Sequence, residues 1–191
     1  QSSAFGRLAD GNKWTPRQAQ AKYGDFCDRW ATLKSEAHKG WWYICIAPQY
    51  PFPNYFMFYQ GIGNRMVAWQ QYLYDCDGIL YWATTFNWDI VRLNSLNMDR
   101  AEFKYGDGML LYYGRLFGLA PGPVPSWRLF QVRDSQDDFD YFKLAEEKVG
   151  RDEVLKTINK VTTTIFKFTA DYRVMEAARD EIAALIENAA K

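Results

Sequence analysis

Two apolar runs of strand length, separated by an amphipathic stretch, dominate the first half of the chain. The first run, at residues 42–48, is continuous and rich in aromatic and β-branched side chains, which predicts a strand buried on both faces, as in a parallel sheet. The second run, at residues 79–86, follows an Asp-Gly turn and predicts another strand. Apolar positions at helical spacing predict a helix over residues 61–75. Its buried stripe comprises Ile62, Met66, Trp69 and Leu73. This order of elements indicates βα units, a parallel sheet and an α/β fold.

A further helix is predicted near the start of the chain. Thr15 followed by Pro16 is a favourable helix start, since threonine caps the first turn and proline suits the first helical position. Gly40 then ends this helix. The apolar side chains between these points follow helical spacing: Phe26, Trp30, Leu33 and Ala37.

The pattern changes after residue 88. Residues 89–127 are rich in glycine, proline and tyrosine, which predicts a long irregular excursion with room for a short hairpin. The segment "WRLFQVRD" at residues 127–134 fits either a strand or the start of a helix. From about Asp137 the spacing predicts helix to the end of the chain. One stripe comprises Val154, Ile158, Val161, Ile165 and Phe168, and another comprises Val174, Ala178, Ile182 and Leu185.

Charge and hydropathy argue against two classes of partner. The 191 residues carry 23 basic and 23 acidic side chains, for a formal net charge of zero, and contain no lysine or arginine run. We therefore expect no nucleic-acid partner, because recognition of a phosphate backbone needs a basic surface. No apolar run approaches the roughly 20 residues of a membrane span, so we expect no membrane partner. The first residues lack the apolar core of a signal peptide, which we expect to be absent or already removed.

The cysteines and the histidine suggest little catalytic or metal-binding chemistry. Cys27, Cys45 and Cys76 are odd in number and widely spaced, which predicts buried thiols rather than a disulfide framework or a zinc motif. The single histidine, His38, lies near a predicted helix end and leaves no basis for a Ser-His-Asp triad. We therefore expect neither a metal nor a cofactor.

Aromatic residues are unusually frequent, at 18% of the chain, and include 8 tryptophans. Two interpretations stay open. The rings can form a core, because each buries a large area, or they can form a sugar-binding surface, because the C–H faces of pyranoses pack on flat rings. The loop "PQYPFPNYFMFY" at residues 48–59 is too apolar for an ordinary surface connection, so it must pack or bind something.

Two parallel strands cannot cover themselves. A complete (β/α)8 TIM barrel needs eight strands and typically ~250 residues. The pattern therefore leaves two alternatives, a small atypical sheet or the back end of a larger barrel.

Four sequence blocks carry a family resemblance that favours the second alternative. They are "GWWYICIAPQYPFPNYFMFYQGIGNRMVAWQQYLYDCDGILYWATTFNW" at residues 40–88, "YGDGMLLYYG" at 105–114, "GPVPSWRLFQVRDSQDDFDYFKL" at 122–144 and "TADYRVMEAARDEIAALIE" at 169–187. In order and spacing they resemble the C-terminal part of the bacterial domain-of-unknown-function family 4091, which is related to glycoside hydrolase family 123. The resemblance covers the chain from about residue 40 to its end.

The resemblance implies the architecture. The chain is expected to be the C-terminal portion of a (β/α)8 TIM barrel, its last two βα units, followed by a helical tail. Residues 42–48 correspond to the seventh strand and residues 79–86 to the eighth. Residues 1–135 then form the C-terminal part of the glycosidase-like barrel, and residues 136–191 form terminal packing helices of the same domain. The implied partner is the N-terminal part of the same barrel.

The resemblance also implies an activity on a glycan that contains N-acetylhexosamine. In the related family 123 enzymes the substrate's 2-acetamido oxygen attacks the anomeric carbon, an aspartate orients the amide and a glutamate donates the proton, which is a substrate-assisted mechanism. That Asp-Glu pair belongs to a mid-barrel strand and is expected upstream of residue 1, so no catalytic residue is assigned here. Ser135 departs from the family's usual glycine, which weakens any statement about the turn before Asp137. The compartment stays open, with a secreted or periplasmic bacterial location as one option.

Candidate substrate-binding residues follow the second predicted strand. The carboxyl ends of barrel strands line the active site, so side chains at this end are expected to meet ligand. Trp82 and Trp88 are candidates to stack on a sugar face, with packing inside the protein as the alternative for each ring. Asn87 can donate to and accept from hydroxyl or acetamido groups.

The loops supply the remaining candidates. Gln49, Tyr50 and Tyr59 lie on the proline-stiffened loop after the first strand, which either binds substrate or simply covers the barrel. Asp107 lies in "YGDG", where glycines favour a tight turn, and is a candidate to reach the site from the excursion.

Other charged residues are predicted to be structural. Arg65, with Trp69 as its i+4 neighbour, is expected to pack or to form an ion pair. A charged cluster at a helix start is expected to be architectural, because carboxylates there complement the helix dipole. It comprises Arg133, Asp134, Asp137 and Asp138.

The sequence thus supports three hypotheses. The first is the C-terminal portion of a glycoside hydrolase. The second is a non-catalytic carbohydrate-binding or interaction module, which ring content fits equally well. The third is an inactive barrel fragment whose exposed sheet edge associates with a partner.

Overall fold

The computed structural model describes residues 39–48, 50–86, 88 and 106–189. Most of the helix predicted over residues 15–40 lies outside the described residues, and so do Cys27, His38 and the first part of the excursion.

The sheet predicted from the two apolar runs is present and parallel. Strand β1 (Trp41–Ile44) pairs with strand β2 (Gly78–Tyr81), with Trp41 opposite Gly78 and Ile44 opposite Tyr81. Helix α1 (Gly61–Leu73) lies between them in the chain, so the three elements form a βαβ unit. The predicted parallel pairing is confirmed. The closed barrel remains a prediction, since the described strands form separate two-stranded sheets.

Both strands are shorter than predicted because the backbone turns away at their carboxyl ends. After Ile44 the amide of Cys45 bonds to the carbonyl of Ala47 at 3.0 Å, which ends the extended conformation. After β2 the carbonyl of Thr84 accepts from the amides of Leu110 and Leu111, each at 2.9 Å. Beyond β2 the chain therefore stops pairing with β1 and pairs instead with the segment that follows Asp107.

The two faces of the β1–β2 sheet differ in burial. Ile44, Ile79 and Tyr81 pack into a core with Tyr55 and Val67. Side chains alternate along a strand, and directly paired residues of parallel strands share a face. The opposite side, which we call the open sheet face, comprises Trp41, Tyr43, Leu80 and Trp82. These four side chains are 60%, 48%, 52% and 40% exposed. The prediction that the first strand is buried on both faces is therefore wrong for the described protein.

A hairpin follows, as the glycine- and proline-rich excursion allowed. Strands β3 (Leu111–Tyr113) and β4 (Pro123–Pro125) are antiparallel, and a 3-10 helix at Gly114–Phe117 lies between them. Prolines at both ends of β4 are tolerated because this short strand lies at a sheet edge.

Helix α2 (Trp127–Val149) settles the ambiguity of "WRLFQVRD" in favour of helix. The hydroxyl of Ser126 accepts from the amide of Leu129 at 3.3 Å, which caps the first turn. The helix runs without a break through residues 135 and 136. Within the described residues, no helix has the combination of length and hydrophobicity that crossing a bilayer requires.

The tail is not continuous helix. Helix α3 (Arg151–Val161) is followed by strands β5 (Thr162–Thr164) and β6 (Lys167–Phe168), and then by helix α4 (Tyr172–Asn188). The predicted stripe is therefore wrong beyond Val161, because the threonine run 162–164 is β-branched and forms a hairpin instead of a further helical turn.

The buried stripe of α4 also differs by one position from the prediction. Met175, Ala178 and Ile182 are its buried residues, whereas Val174 is exposed. Leu185 packs against the same core but is only partly buried.

Helix α1 is the centre of the described fold. All its residues from 62 to 72 are buried, so the prediction of a single buried stripe is wrong. Met66 and Trp69 contribute to one core together with Phe142 and Ile158, while Val67 contributes to the core under the sheet. A helix covered on several sides must also bury polar groups, and these need partners.

The main polar partner in this core is Asp138, whose side chain is fully buried. It accepts from Nε and Nη2 of Arg65 at 2.6 and 2.7 Å, from the indole of Trp69 at 2.8 Å and from Arg179 at 2.9 Å. Arg65 also pairs with Glu176 at 2.6 Å. This network joins α1, α2 and α4. It confirms that Arg65 forms an ion pair and that Asp138 is architectural. The predicted placement at a helix start is wrong, because Asp138 lies in the middle of α2.

Candidate functional site

Asp107 lies beside the carboxyl end of β2. There it contacts Tyr81, the last residue of the strand, and Trp82, the residue that follows. The hydroxyl of Tyr81 donates to Oδ1 of Asp107 at 3.1 Å, and the indole of Trp82 donates to Oδ2 at 3.1 Å. The same tyrosine oxygen accepts from the amide of Gly108 at 2.6 Å. The structure therefore brings together two of the candidates, Trp82 and Asp107, that the sequence placed in different segments.

The turn that carries Asp107 needs glycine on both sides. Gly106 and Gly108 have φ of +78° and +73°, which side chains rarely adopt. A Cβ at Gly108 would lie 2.7 Å from the Trp82 ring, so the absence of a side chain also lets the indole approach the turn. Phe86 packs on Trp82 with ring centroids 4.5 Å apart. Both rings remain partly exposed, which forms an aromatic platform beside a carboxylate.

Burial dominates the electrostatics of this cluster. Desolvation raises the pKa of Asp107, opposed by hydrogen bonds from Trp82 and Tyr81 and by the charge of Arg128. Desolvation also raises the pKa of Tyr81, so its hydroxyl keeps its proton at neutral pH. The cluster can therefore present a carboxylate held by two neutral donors, which is suited to accepting hydrogen bonds from ligand hydroxyl or amide groups.

Tyr43 extends the cluster to β1. Desolvation, followed by the neighbouring thiol of Cys45 and the charge of Asp107, raises the pKa of the Tyr43 phenol. Tyr43 and Trp82 both belong to the open sheet face. The ends of both parallel strands thus contribute polar and aromatic groups to one region.

Arg128 supports this region from α2 and is almost completely buried. Its guanidinium donates to the carbonyls of Tyr55 and Gly106, each at 2.6 Å, and to the carbonyl of Met109. Sequence reasoning missed this residue because its partners are backbone groups from distant segments. The sequence did contain one signal. Arg128 lies in the first turn of α2, where a cation is unfavourable to the helix dipole, so its presence indicates some other stabilising contact.

The loop after β1 is held by buried amides. Asn54 donates to the carbonyls of Cys45 and Pro48, each at 2.8 Å, and Asn64 of α1 donates to the carbonyl of Asn54 at 2.5 Å. This bonding explains how so apolar a loop can pack against the protein, because several of its backbone carbonyls find partners inside.

The other candidates are distributed differently. Tyr59 packs on Phe56 and Phe58, and burial raises the pKa of its hydroxyl, which lies near Tyr50, so these two candidates lie together in the loop. Trp88 donates its indole proton to the carbonyl of Leu111 at 2.9 Å and packs near Tyr113, against the β3–β4 hairpin. Gln49 and Asn87 lie outside the described residues.

Among the residues that the structure describes, no group of three or more His, Cys, Asp or Glu side chains is arranged to hold a metal ion.

A comparison with protein families identifies what this region is similar to. A family model described as "Glycoside hydrolase 123, catalytic domain" matches residues 18–145. The matched range contains the βαβ unit, the turn that carries Asp107, the β3–β4 hairpin and most of α2. No curated protein matches the chain.

Proposed function

The chain belongs to the glycoside hydrolase 123 catalytic-domain family, and on that premise we propose that it forms the C-terminal portion of a (β/α)8 barrel glycoside hydrolase. We also propose that the chain resembles domain-of-unknown-function family 4091 within this larger group. On that basis β1 corresponds to the seventh barrel strand and β2 to the eighth. The βαβ unit supports it, because parallel strands joined by a helix are the repeating unit of such a barrel.

The two faces of the sheet fit the wall of a barrel. In a barrel, helices cover the outside and alternate strand residues fill the interior. Ile44 and Ile79 point toward the side that Val67 of α1 covers, which corresponds to the outside. The open sheet face then corresponds to the interior. Its exposed side chains Trp41, Tyr43 and Leu80 would contact strands of the N-terminal part of the same barrel, which is the partner we propose.

We propose that the ligand is a glycan that ends in N-acetylhexosamine. The exposed rings of Trp82 and Phe86 can pack on the C–H face of a sugar, while Asp107 at their edge can accept a hydrogen bond from a hydroxyl or from the acetamido N–H. The observation that carries the proposal is the contact of Trp82 with Asp107 at the carboxyl end of β2, the position where barrel enzymes bind substrate.

In the proposed reaction the substrate's acetamido oxygen attacks the anomeric carbon, and the glycosidic oxygen leaves with a proton from a glutamate. An aspartate orients the acetamido group. We place this Asp-Glu pair upstream of residue 1. Asp107 has the separate role of binding, since each of its oxygens keeps a second acceptor lone pair beside the hydrogen bond from Tyr81 or Trp82.

Sugar binding by the 191-residue chain tests the ligand. Titration with N-acetylgalactosamine and N-acetylglucosamine should give saturable binding to at least one of them. Trp82→Ala should weaken that binding about tenfold, which corresponds to a contact of about 1.4 kcal/mol. Tyr172→Ala removes an exposed ring at the start of α4 and serves as the control. Absence of binding to both sugars, or an equal loss in both variants, would contradict the proposal.

Turnover separates the enzyme from a binding module. A non-catalytic binding module is the second candidate. The proposed reaction uses an Asp-Glu pair, whereas among the described residues Asp107 is the one carboxylate whose hydrogen bonds reach the end of β2. With a chromogenic N-acetylhexosaminide we expect binding but no turnover by this chain. Robust turnover would place the acid within residues 1–191. A polypeptide extended upstream through the Asp-Glu pair should hydrolyse the substrate, whereas a binding module would not.

A further inference from the structure

We propose that Arg128 is a positioning residue that holds the turn carrying Asp107, and thereby aims the Asp107 carboxylate at Trp82 and the ligand. The inference rests on the proposed function only for the ligand. The positioning itself is a property of the protein that can be measured without a sugar.

The hydrogen bonds of Arg128 bracket the turn. One nitrogen, Nη1, donates to the carbonyl of Gly106, just before Asp107, and Nη2 donates to the carbonyl of Met109, just after Gly108. Nη1 also donates to the carbonyl of Tyr55 in the loop after β1. A single planar group thus fixes both ends of the turn to the body of the protein.

Only arginine suits this position. The guanidinium presents several donors in a rigid fork, so it can satisfy three carbonyls from different segments, whereas the single ammonium of lysine lacks that fork. Nη2 reaches the hydroxyl of Tyr112 as well, at 3.3 Å. Arg128 and Asp107 are both nearly inaccessible to solvent, at 4% and 5% exposure, so their partners distinguish them. Arg128 bonds to backbone carbonyls behind the turn, whereas Asp107 bonds to the partly exposed Trp82.

A second Arg–Asp–Trp unit in the same protein shows the contrast. Arg65 bonds directly to Asp138, which also accepts from the indole of Trp69, and this carboxylate is fully enclosed. In the site, Arg128 bonds to backbone carbonyls on either side of Asp107. The Asp107 carboxylate is thereby positioned through its turn instead of through a direct ion pair, and it bonds to the partly exposed Trp82.

The positive charge of Arg128 should also affect the protonation of Asp107, which can be measured. Among the residues that the structure describes, the titratable or charged groups that face Asp107 are Tyr43 from β1, Tyr81 from β2 and Arg128 from α2. Of these, Arg128 is the cation and favours the ionised carboxylate. Removing its charge should therefore move the protonation of Asp107 to higher pH.

The indole protons of the two tryptophans report on the two units separately. In Arg128→Lys, hydrogen exchange at the Trp82 indole should accelerate about tenfold, and exchange at the Trp69 indole should not change. Arg65→Lys is the matched control and should do the opposite. NMR of the 191-residue chain measures both rates, with Trp82→Phe to identify the Trp82 resonance.

The pH dependence of the Trp82 indole resonance tests the charge. Its midpoint should rise in Arg128→Gln and should stay at the wild-type value in Arg65→Gln. If Arg128→Gln does not fold, the exchange rates in Arg128→Lys decide. Unchanged Trp82 exchange in Arg128→Lys, or equal effects of the Arg65 and Arg128 variants on Trp82, would overturn the inference.

Sugar titration links the result to function. Arg128→Lys should weaken binding of N-acetylgalactosamine or N-acetylglucosamine about tenfold, whereas Arg65→Lys should not. Wild-type affinity in a folded Arg128→Lys variant would overturn the positioning role. If no variant, including the wild type, binds sugar while the NMR results follow the expectation, the proposed ligand is wrong and the positioning role of Arg128 stands.

Discussion

The indole of Trp82 donates a hydrogen bond of 3.1 Å to the carboxylate of Asp107, which lies 25 residues further along the chain. This contact fixes the orientation of a partly exposed ring at the end of β2. A ring that is already held in place loses little conformational freedom when a ligand packs on it, so more of the contact energy is available for binding. The same bond joins the parallel sheet to the turn at Gly106–Gly108.

The close approach of Gly108 to Trp82 predicts a specific loss of stability and binding. Gly108→Ala should destabilise the protein by about 1–3 kcal/mol more than Gly118→Ala, because only the first Cβ meets a ring. Gly118 is the matched control, with φ of +70° and no neighbouring atom within 4 Å of a Cβ. Urea unfolding measures the difference, and sugar titration should show weaker binding for Gly108→Ala alone. Equal stability of the two variants would mean that the Trp82 ring is not held against the turn.

The buried carboxylate of Asp138 should be essential for stability. Asp138→Asn removes the buried carboxylate shared by Arg65 and Arg179 and leaves Arg65 only its pair with the more exposed Glu176. The expected loss is about 3–5 kcal/mol in the free energy of unfolding. Asp137→Asn, one residue away and exposed, should change it by less than about 0.5 kcal/mol. Urea denaturation of both variants provides the test. An Asp138→Asn protein as stable as the Asp137→Asn protein would show that the network contributes nothing net.

Glu181 should contribute to acid sensitivity. Its hydrogen bond with Lys160, assisted by Thr157, lowers the pKa of Glu181 below its ordinary value of 4.5. A carboxylate with a lowered folded-state pKa stabilises the protein above that ordinary value, and this contribution disappears as pH falls through the folded-state pKa. Because the pair is substantially exposed, the effect should be only about 0.2–1 kcal/mol.

The pH dependence of the urea midpoint tests this contribution. Between neutral pH and pH ~3, wild type should lose more stability than Glu181→Gln, by the amount that Glu181 contributes. Glu187→Gln, at the exposed end of α4 and outside this ion pair, is the matched control. Parallel curves for wild type and Glu181→Gln would refute the prediction.

The open sheet face should make the isolated chain prone to association. A parallel sheet with unpaired edges and exposed rings presents both backbone groups and apolar surface to other chains. Sedimentation velocity should show concentration-dependent association that Leu80→Lys suppresses. Leu119→Lys is the matched control, since Leu119 is 55% exposed and lies between β3 and β4 instead of on the sheet. A wild-type chain that stays monomeric at all concentrations would argue against the proposed barrel partner.

The amino-acid pattern by itself determined the local elements of this protein. Continuous apolar runs around Ile44 and Leu80, with helical spacing between them, predicted the parallel βαβ unit, because such patterns report which positions need burial. Residue types and block spacing also carried the family resemblance, which the match to the glycoside hydrolase 123 catalytic domain supports in its coarser form.

Tertiary structure alone decided where the elements end and which polar groups meet. The first strand stops at Ile44 through a backbone turn, and the tail leaves the helix at Thr162, two outcomes that apolar periodicity does not record. The role of Arg128 depends on three carbonyls from two segments, and the orientation of Asp107 depends on Trp82. Hydrogen-bond partners distant in the chain leave no periodic trace, because periodicity reflects burial along one element and not the donor or acceptor that another element supplies.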